Sequence, residues 1–300
     1  MQFCMQGGRM RTAIVTDTNS GMSVEEGKCR GIFVLPMPVI IDGKTYLEGE
    51  NVSYTEVFRA MAENRSVSTS QPSPGEVQDL WRKVLGQGYD EIVYIPMSSG
   101  LSSSYHTAIG LAESFGDKVK VADNHRISLT LYESILDAKE MADRGAGAEE
   151  IKARLEERAM DATIYITVDS IDHLKKSGRI TAAGAALAMF FKIRPVLTIQ
   201  GERLDAYAKV RGILAAERRM LEATHRDLME RFRDRPKDRI LVGAAGTLVS
   251  KADIDRWSEK IKAAFPGYPF LYHPLSCSIA CHTGPNAVGM GFVCMDRENW

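Results

Sequence analysis

Apolar positions along the chain fall in short runs, separated by loops dense in hydroxyl-bearing residues. Residues 12–16 form one such run, TAIVT, followed by the polar stretch DTNSG. A run of this length ending in turn residues predicts a buried strand. Residues 32–41 are β-rich, and Asp42-Gly43 predicts a hairpin-type turn into Tyr46. A helix is predicted over 53–63, where Ser53 and Glu56 have capping-box spacing. Ser73-Pro74 opens another, running to about Gly86, with Glu76 three residues after the capping serine. Strands follow at 92–96 and 119–122, and helices at 104–115, 127–142 and 148–159. This recurring strand–loop–helix order predicts a largely parallel sheet covered by helices.

A second pattern starts with a strand at 163–168. Helices are expected at 170–177 and 182–191, then strands at 196–199 and 203–209 joined by Gly201-Glu202. A long helix at 213–232, a strand at 240–244, a helix at 250–264 and strands at 269–273 and 289–293 complete it. The expected fold class is α/β, with two α/β domains at 10–162 and 163–300. Residues 1–9 have no apolar signal-peptide core and are expected to be an N-terminal extension.

Composition narrows the function classes. A chain of 300 residues has room for two domains. With 44% hydrophobic and 26% charged residues, wholesale disorder is not expected. The formal net charge is -1, from 38 Lys and Arg against 39 Asp and Glu, so the basic excess of a nucleic-acid binder is missing. The charge run from Arg226 to Arg239 alternates in sign and reads as a solvated helix end. Apolar runs stay below the ~18 residues of a membrane span; the longest candidate, 182–191, lies between Arg179 and Lys192.

The five cysteines, Cys4, Cys29, Cys277, Cys281 and Cys294, are odd in number and scattered, which argues against a disulfide framework. Reduced thiols fit an expected cytoplasmic location. Cys277 and Cys281 beside His282 do not have a common zinc spacing, so no metal is expected.

Candidate chemistry lies in three polar loops at predicted strand ends: residues 17–20, 68–73 and 98–104. In open α/β sheets, ligands bind beyond the carboxyl ends of strands. Two of these loops lead into helices, whose N-termini offer unpaired N–H groups to an anion. Each loop alone also reads as ordinary capping and turn chemistry. An enzymatic alternative is a small-molecule hydrolase or transferase using Ser98 or Ser102 with His282. However, the nucleophile-elbow, Walker A and dinucleotide glycine patterns are missing around these loops.

Taken together, these segments resemble the DegV family of bacterial fatty-acid-binding proteins. The most specific block is Thr69-Ser70-Gln71-Pro72-Ser73-Pro74-Gly75-Glu76. Supporting pieces are Thr16 to Ser20, Leu35 to Val39, Ser98 to Ser102, Leu174 to Ile180, Ile193 to Leu197, Lys209-Val210-Arg211 and His282-Thr283-Gly284-Pro285. The likeness runs from about Arg11 to Phe292. It implies two α/β domains with a lipid between them and no catalysis by the chain itself. It also implies that Thr69, Ser70, Ser98 and Ser102 hold the carboxylate of a long-chain fatty acid, with His282 at the same head group. Arg179 and Arg211 match arginines linked to the phosphorylated product or to partner docking. The implied partner is a separate fatty acid kinase that makes an acyl phosphate for phospholipid synthesis, with transient membrane contact. No cofactor is implied beyond the lipid itself. A further alternative is a docking scaffold in which the lipid is structural.

Three positions depart from the family pattern: Ser103, Ser177 and Asn286 stand where glycines are usual. The tail requires an apolar tunnel, for which Leu187, Met189, Phe190, Phe191, Ile193, Phe270 and Leu271 are the candidates.

Overall fold

Strand β1 (Thr12–Asp17) is buried at every position, as expected for an internal strand covered on both faces. The structure is a computed structural model, and it describes residues 10–186, 193–200 and 203–296. β1 pairs with β2 (Phe33–Leu35) on one side and β6 (Glu91–Ile95) on the other, and β7 (Val119–Val121) follows β6. All three pairings are parallel. Helices α1 (Val24–Arg30), α3 (Pro74–Gly86), α4 (Ser104–Ala112), α5 (Ser128–Arg144) and α6 (Ala148–Glu157) pack on this sheet.

The second sheet has six strands. Their order is β10 (Asp205–Arg211), β9 (Ile193–Ile199), β8 (Ala162–Thr167), β13 (Val288–Cys294), β11 (Ile240–Gly246) and β12 (Phe270–Pro274). Only β11 and β12 run parallel. The parallel arrangement expected from the first half therefore does not extend here. β9 and β10 follow one another closely in sequence, and such a short link permits only an antiparallel pair. Two short helices, α7 (Asp172–Ser177) and α8 (Ala182–Ala186), come between β8 and β9 in the chain. Helices α9 (Ile213–Arg231) and α10 (Lys251–Ala264) pack against this sheet. Trp257 of α10 is fully buried there and donates its indole N–H to the Gly289 carbonyl at 2.9 Å.

A third, small sheet places β3 (Pro38–Ile41) between β4 (Lys44–Leu47) and β5 (Val67–Thr69), both antiparallel to it. Asp42 and Gly43 form the β3–β4 turn, both at positive φ (49° and 78°). That is the pattern of a two-residue hairpin turn. Helix α2 (Tyr54–Ala62) follows. The predicted capping boxes form in full: Ser53 with Glu56 at α2, and Ser73 with Glu76 at α3.

Besides helix α1, which lies in a stretch the pattern leaves unassigned, two elements escaped the sequence pattern. One is β5, three residues long within a stretch read as loop. The other is helix α11 (Cys277–Thr283), which packs on α2, β3 and β5. Its residues Cys, Ser, His and Thr are indifferent helix formers. The helix is fixed instead by distant groups. Ser276 caps it by accepting the Ile279 N–H at 3.2 Å. The buried Glu48 carboxylate accepts the N–H of Cys277, and that of Ser278 at 3.5 Å. A negative charge at a helix N-terminus is favourable. Cys277 and Cys281 point into an apolar cluster with Val39, Ile41, Val52 and Val57. Burial pushes the Cys281 thiol up to about 12.

Candidate functional site

One face of the six-stranded sheet and the segments beyond the carboxyl ends of the four-stranded sheet line a cavity of about 960 Å³ of space unoccupied by protein atoms, counting the solvent at its mouth. Its walls come from both halves of the chain. β8 contributes Ile164 and Ile166, β13 contributes Gly289, Met290 and Gly291, and β11 contributes Ala245. Ile164, Ile166, Gly289, Gly291 and Ala245 share one sheet face, since Ile166 pairs with Gly289 and Ile164 with Gly291, whereas Met290 between them pairs with Tyr165 and turns its side chain to the core on the other face. Across β13, Gly289 pairs with Ala245. The first half supplies Met97, Leu101, Ile127 and Leu129. The wall is therefore mostly aliphatic, with small residues as its floor.

One end of this cavity is polar. Thr69 closes β5, and its Oγ1 lies 2.8 Å from Nε2 of His282 on α11. Ser70 and Gln71 continue the lining, as do Ser102, Ser278 and Thr283. Thr107 of α4 donates to the Gln71 side chain at 3.0 Å, which ties the Thr-Ser-Gln loop to the helix after the serine loop. Ser102 Oγ sits 2.8 Å from Ser104 Oγ and accepts the Ser104 N–H at 3.2 Å. Arg179 follows α7, beyond the left-handed Gly178, and lines the same end half-buried.

The electrostatics of this end favour an anion. Burial, then the charge of Arg179, then His173, holds His282 down at about 4, so its ring is neutral near pH 7. His282 Nδ1 is enclosed without a partner among the described residues. A guanidinium and several hydroxyls beside a neutral imidazole suit a bound carboxylate or phosphate oxygen.

Thr69, Ser70, Ser102, His282 and Arg179 are thus brought together, although they come from distant parts of the chain. Ser98 and Arg211 are not brought there. Ser98 is fully buried under the loop, where its Oγ accepts the Gly100 N–H at 3.2 Å and its carbonyl accepts the N–H groups of Leu101 and Ser102. It shapes the turn and does not line the cavity. Arg211 ends β10 and is exposed, away from the cavity wall. The imidazole that the hydrolase alternative would use as a base is bonded through Nε2 to Thr69.

The tail-lining candidates need correction. Ile193, Phe270 and Leu271 do not line the cavity. Phe270 and Leu271 lie on the edge strand β12 and pack into cores instead. Leu187, Met189, Phe190 and Phe191 fall outside the described residues. Sequence reasoning also missed Ser278 and Ser128, and it named Asn19 only as part of the polar loop 17–20; all three are in the wall. Asn19 was signalled by its place in the polar loop after β1. Its side-chain oxygen accepts from Ser276, at 3.1 Å, and from Ser278, so it ties the first sheet to α11. Beneath it, Asp17 accepts the N–H groups of Asn19 and Met97 at 2.9 and 3.2 Å.

Among the described residues, no cluster of His, Cys, Asp and Glu could hold a metal ion. No helix among them is long and apolar enough to cross a membrane.

Fold and site together define a mixed α/β protein built around an aliphatic cavity with one hydroxyl- and histidine-lined end. The sequence model described as "Uncharacterised protein, DegV family" matches residues 11–294, and the chain belongs to that family. A DegV domain-containing protein of Deinococcus radiodurans is 29% identical over 285 residues, covering 94% of this chain and 98% of the relative. Among solved structures, a DegV family protein from Thermus thermophilus described for its fatty acid binding superposes with a TM-score of 0.85 at 29% identity. That match covers 95% of this chain and 100% of the other. A stearic-acid-binding protein from Eubacterium ventriosum shares the fold at a TM-score of 0.84 and 22% identity, with 94% and 98% of the two chains covered.

Proposed function

We propose that this protein binds one long-chain fatty acid and presents its carboxylate to a separate fatty acid kinase, without doing chemistry on it. The observation that carries this reading is a cavity joining a polar end, Thr69 with His282, to an aliphatic wall. A ligand that fits must be an anion at one end and hydrocarbon over the rest. Burying the tail gains about 0.8 kcal/mol per CH₂, against the costs of association and ordering. The carboxylate must then be hydrogen-bonded, because a buried unpaired charge is very costly.

In this reading Thr69, Ser70 and Ser102 donate to the carboxylate, and His282 orients Thr69. Ser98 supports the turn that carries Ser102. Arg179 at the mouth, and Arg211 on the exposed end of β10, supply contacts for the phosphorylated head group or for the kinase. The likeness to the Thermus thermophilus protein supports the ligand class. The kinase rests on the family resemblance.

Native mass spectrometry of the purified protein tests the reading. A one-to-one adduct with the mass of a long-chain fatty acid, released on denaturation, is the expected result. A protein that emerges free of lipid and takes up none when offered hexadecanoic acid would overturn it.

A further inference from the structure

The cavity wall carries a second polar feature. Helix α5 begins at Ser128, and no side chain caps it, since its N-cap residue is Ile127. Ile127, Ser128 and Leu129 all line the cavity. Ser128 is 4% exposed, and its Oγ is buried with no hydrogen-bond partner among the described residues. The neighbouring hydroxyls are already engaged: Thr130 donates to the Ile127 carbonyl at 3.0 Å, and Ser134 to the Thr130 carbonyl at 3.0 Å.

The register of β13 locates this feature. The head-group residues His282 and Thr283 precede β13, whose first residue is Val288. Gly291 lies three residues further in, roughly 10 Å along the strand. Gly291 pairs with Gly243 of β11. Leu129 covers Gly243 so closely that a Cβ there would meet Leu129 Cδ2 at 2.1 Å. Leu129 therefore covers a part of the sheet face beyond the start of β13, and Ser128 stands next to it in the cavity wall.

An unpaired hydroxyl and an uncapped helix start are unfavourable surroundings for a plain alkyl tail, because a buried polar group without a partner is costly. They suit an oxygen. We infer that Ser128 and the start of α5 form a second subsite that takes a neutral oxygen substituent on the distal part of the acyl chain, so that the preferred ligand is a hydroxylated fatty acid. This rests on the carrier reading above and specifies its ligand. A second carboxylate fits less well, since the one cation in the described lining, Arg179, stands at the head-group end.

Competition binding separates the possibilities. The probes are hexadecanoic acid and a positional series of monohydroxyhexadecanoic acids, applied to the full chain and to Ser128→Ala. The expected result is that one isomer hydroxylated in the distal half binds the wild type about tenfold more tightly than isomers hydroxylated beside the carboxylate. Ser128→Ala should abolish that preference while binding hexadecanoic acid at least as well as the wild type. The same ranking of isomers in both proteins, with every hydroxylated acid weaker than hexadecanoic acid, would overturn the subsite and leave the carrier reading intact. Failure of hexadecanoic acid itself to bind the wild type would sink the carrier reading, and this inference with it.

Discussion

Thr69 Oγ1 and His282 Nε2 stand 2.8 Å apart, although 213 positions separate them in the chain. A hydroxyl has one proton to donate. If Thr69 is to give that proton to a carboxylate, it must accept from the imidazole, which then has to carry its hydrogen on Nε2. The ring is neutral at pH 7, because burial and the nearby Arg179 hold it at about 4. The unpartnered Nδ1 is then a bare acceptor. Nitrogen-15 NMR of labelled protein at pH 7 should find His282 as the neutral Nε2–H tautomer. Loading with a fatty acid should raise its pKa above about 4, since an adjacent carboxylate favours the imidazolium. A neutral Nδ1–H tautomer would break the proposed relay.

Removing one donor tests the head group directly. Thr69→Val keeps the shape of the side chain and deletes its O–H, and Ser102→Ala does the same for the second loop. A hydrogen bond to a charged group is worth about 1.5–3 kcal/mol, or roughly ten- to hundredfold in affinity. Each variant should retain fatty acid that much more weakly in a competition assay, with little change in melting temperature. Arg211→Ala should leave lipid affinity unchanged and slow kinase-coupled phosphorylation, because Arg211 lies on the exposed end of β10, outside the cavity wall. Unaltered retention in both hydroxyl variants would remove the two loops from the head-group site.

How much of this site was legible depends on how local each signal is. The Thr-Ser-Gln loop and the capping boxes at Ser53 and Ser73 were legible because caps are written within four residues. Ile164 and Ile166 were placed on a strand, but which face they would show was not, since that depends on pairing with Gly291 and Gly289 more than a hundred positions away. Helix α11 was invisible for a related reason. Its N-terminus is completed by Glu48, a residue 229 positions earlier. Ser128 reads as an ordinary helix-start serine until the cavity around it is known. Family resemblance recovered His282 where spacing alone left it ambiguous, and it also carried Arg211, which the cavity does not reach.

The cavity floor gives a prediction in which stability and affinity move in opposite directions. Ala245 belongs to an internal strand yet remains partly accessible, and it lines the cavity opposite Gly289. Ala245→Leu should fill part of the empty space. The lipid-free protein should gain stability, by up to about 1–2 kcal/mol as cavity filling commonly gives. Affinity for hexadecanoic acid should fall by tenfold or more, while an acid of half that length keeps its affinity. Paired thermal melts and binding titrations read both effects. An equal loss for long and short acids would show that the change had disturbed the head group and not the passage.

Asp17 offers a test by pH. Its carboxyl is wholly buried, and burial raises it to about 6 from an ordinary value of 3.8, with the hydrogen bonds from Met97 and Asn19 opposing the rise. A carboxyl whose folded pKa is raised binds its proton more tightly in the native state, so this group's contribution to stability is greatest in acid. That contribution is lost as the pH climbs from about 4 to about 6, and it amounts to roughly 3 kcal/mol in all. Carboxylates held low by cations, such as Asp296 beside Arg154 and Arg158, act in the opposite sense, so wild-type stability alone does not isolate Asp17. The difference between the wild type and Asp17→Asn does, because every other group cancels. Unfolding free energies measured in urea from pH 4 to 7 should show the variant gaining on the wild type by roughly that amount across the window. The site should follow the same curve. Asp17 holds Asn19, and Asn19 holds Ser276 and Ser278 at the start of the helix that carries His282. A difference that stayed flat with pH would mean that Asp17 is charged throughout, and that the polar layer under the head group tolerates the ion without penalty.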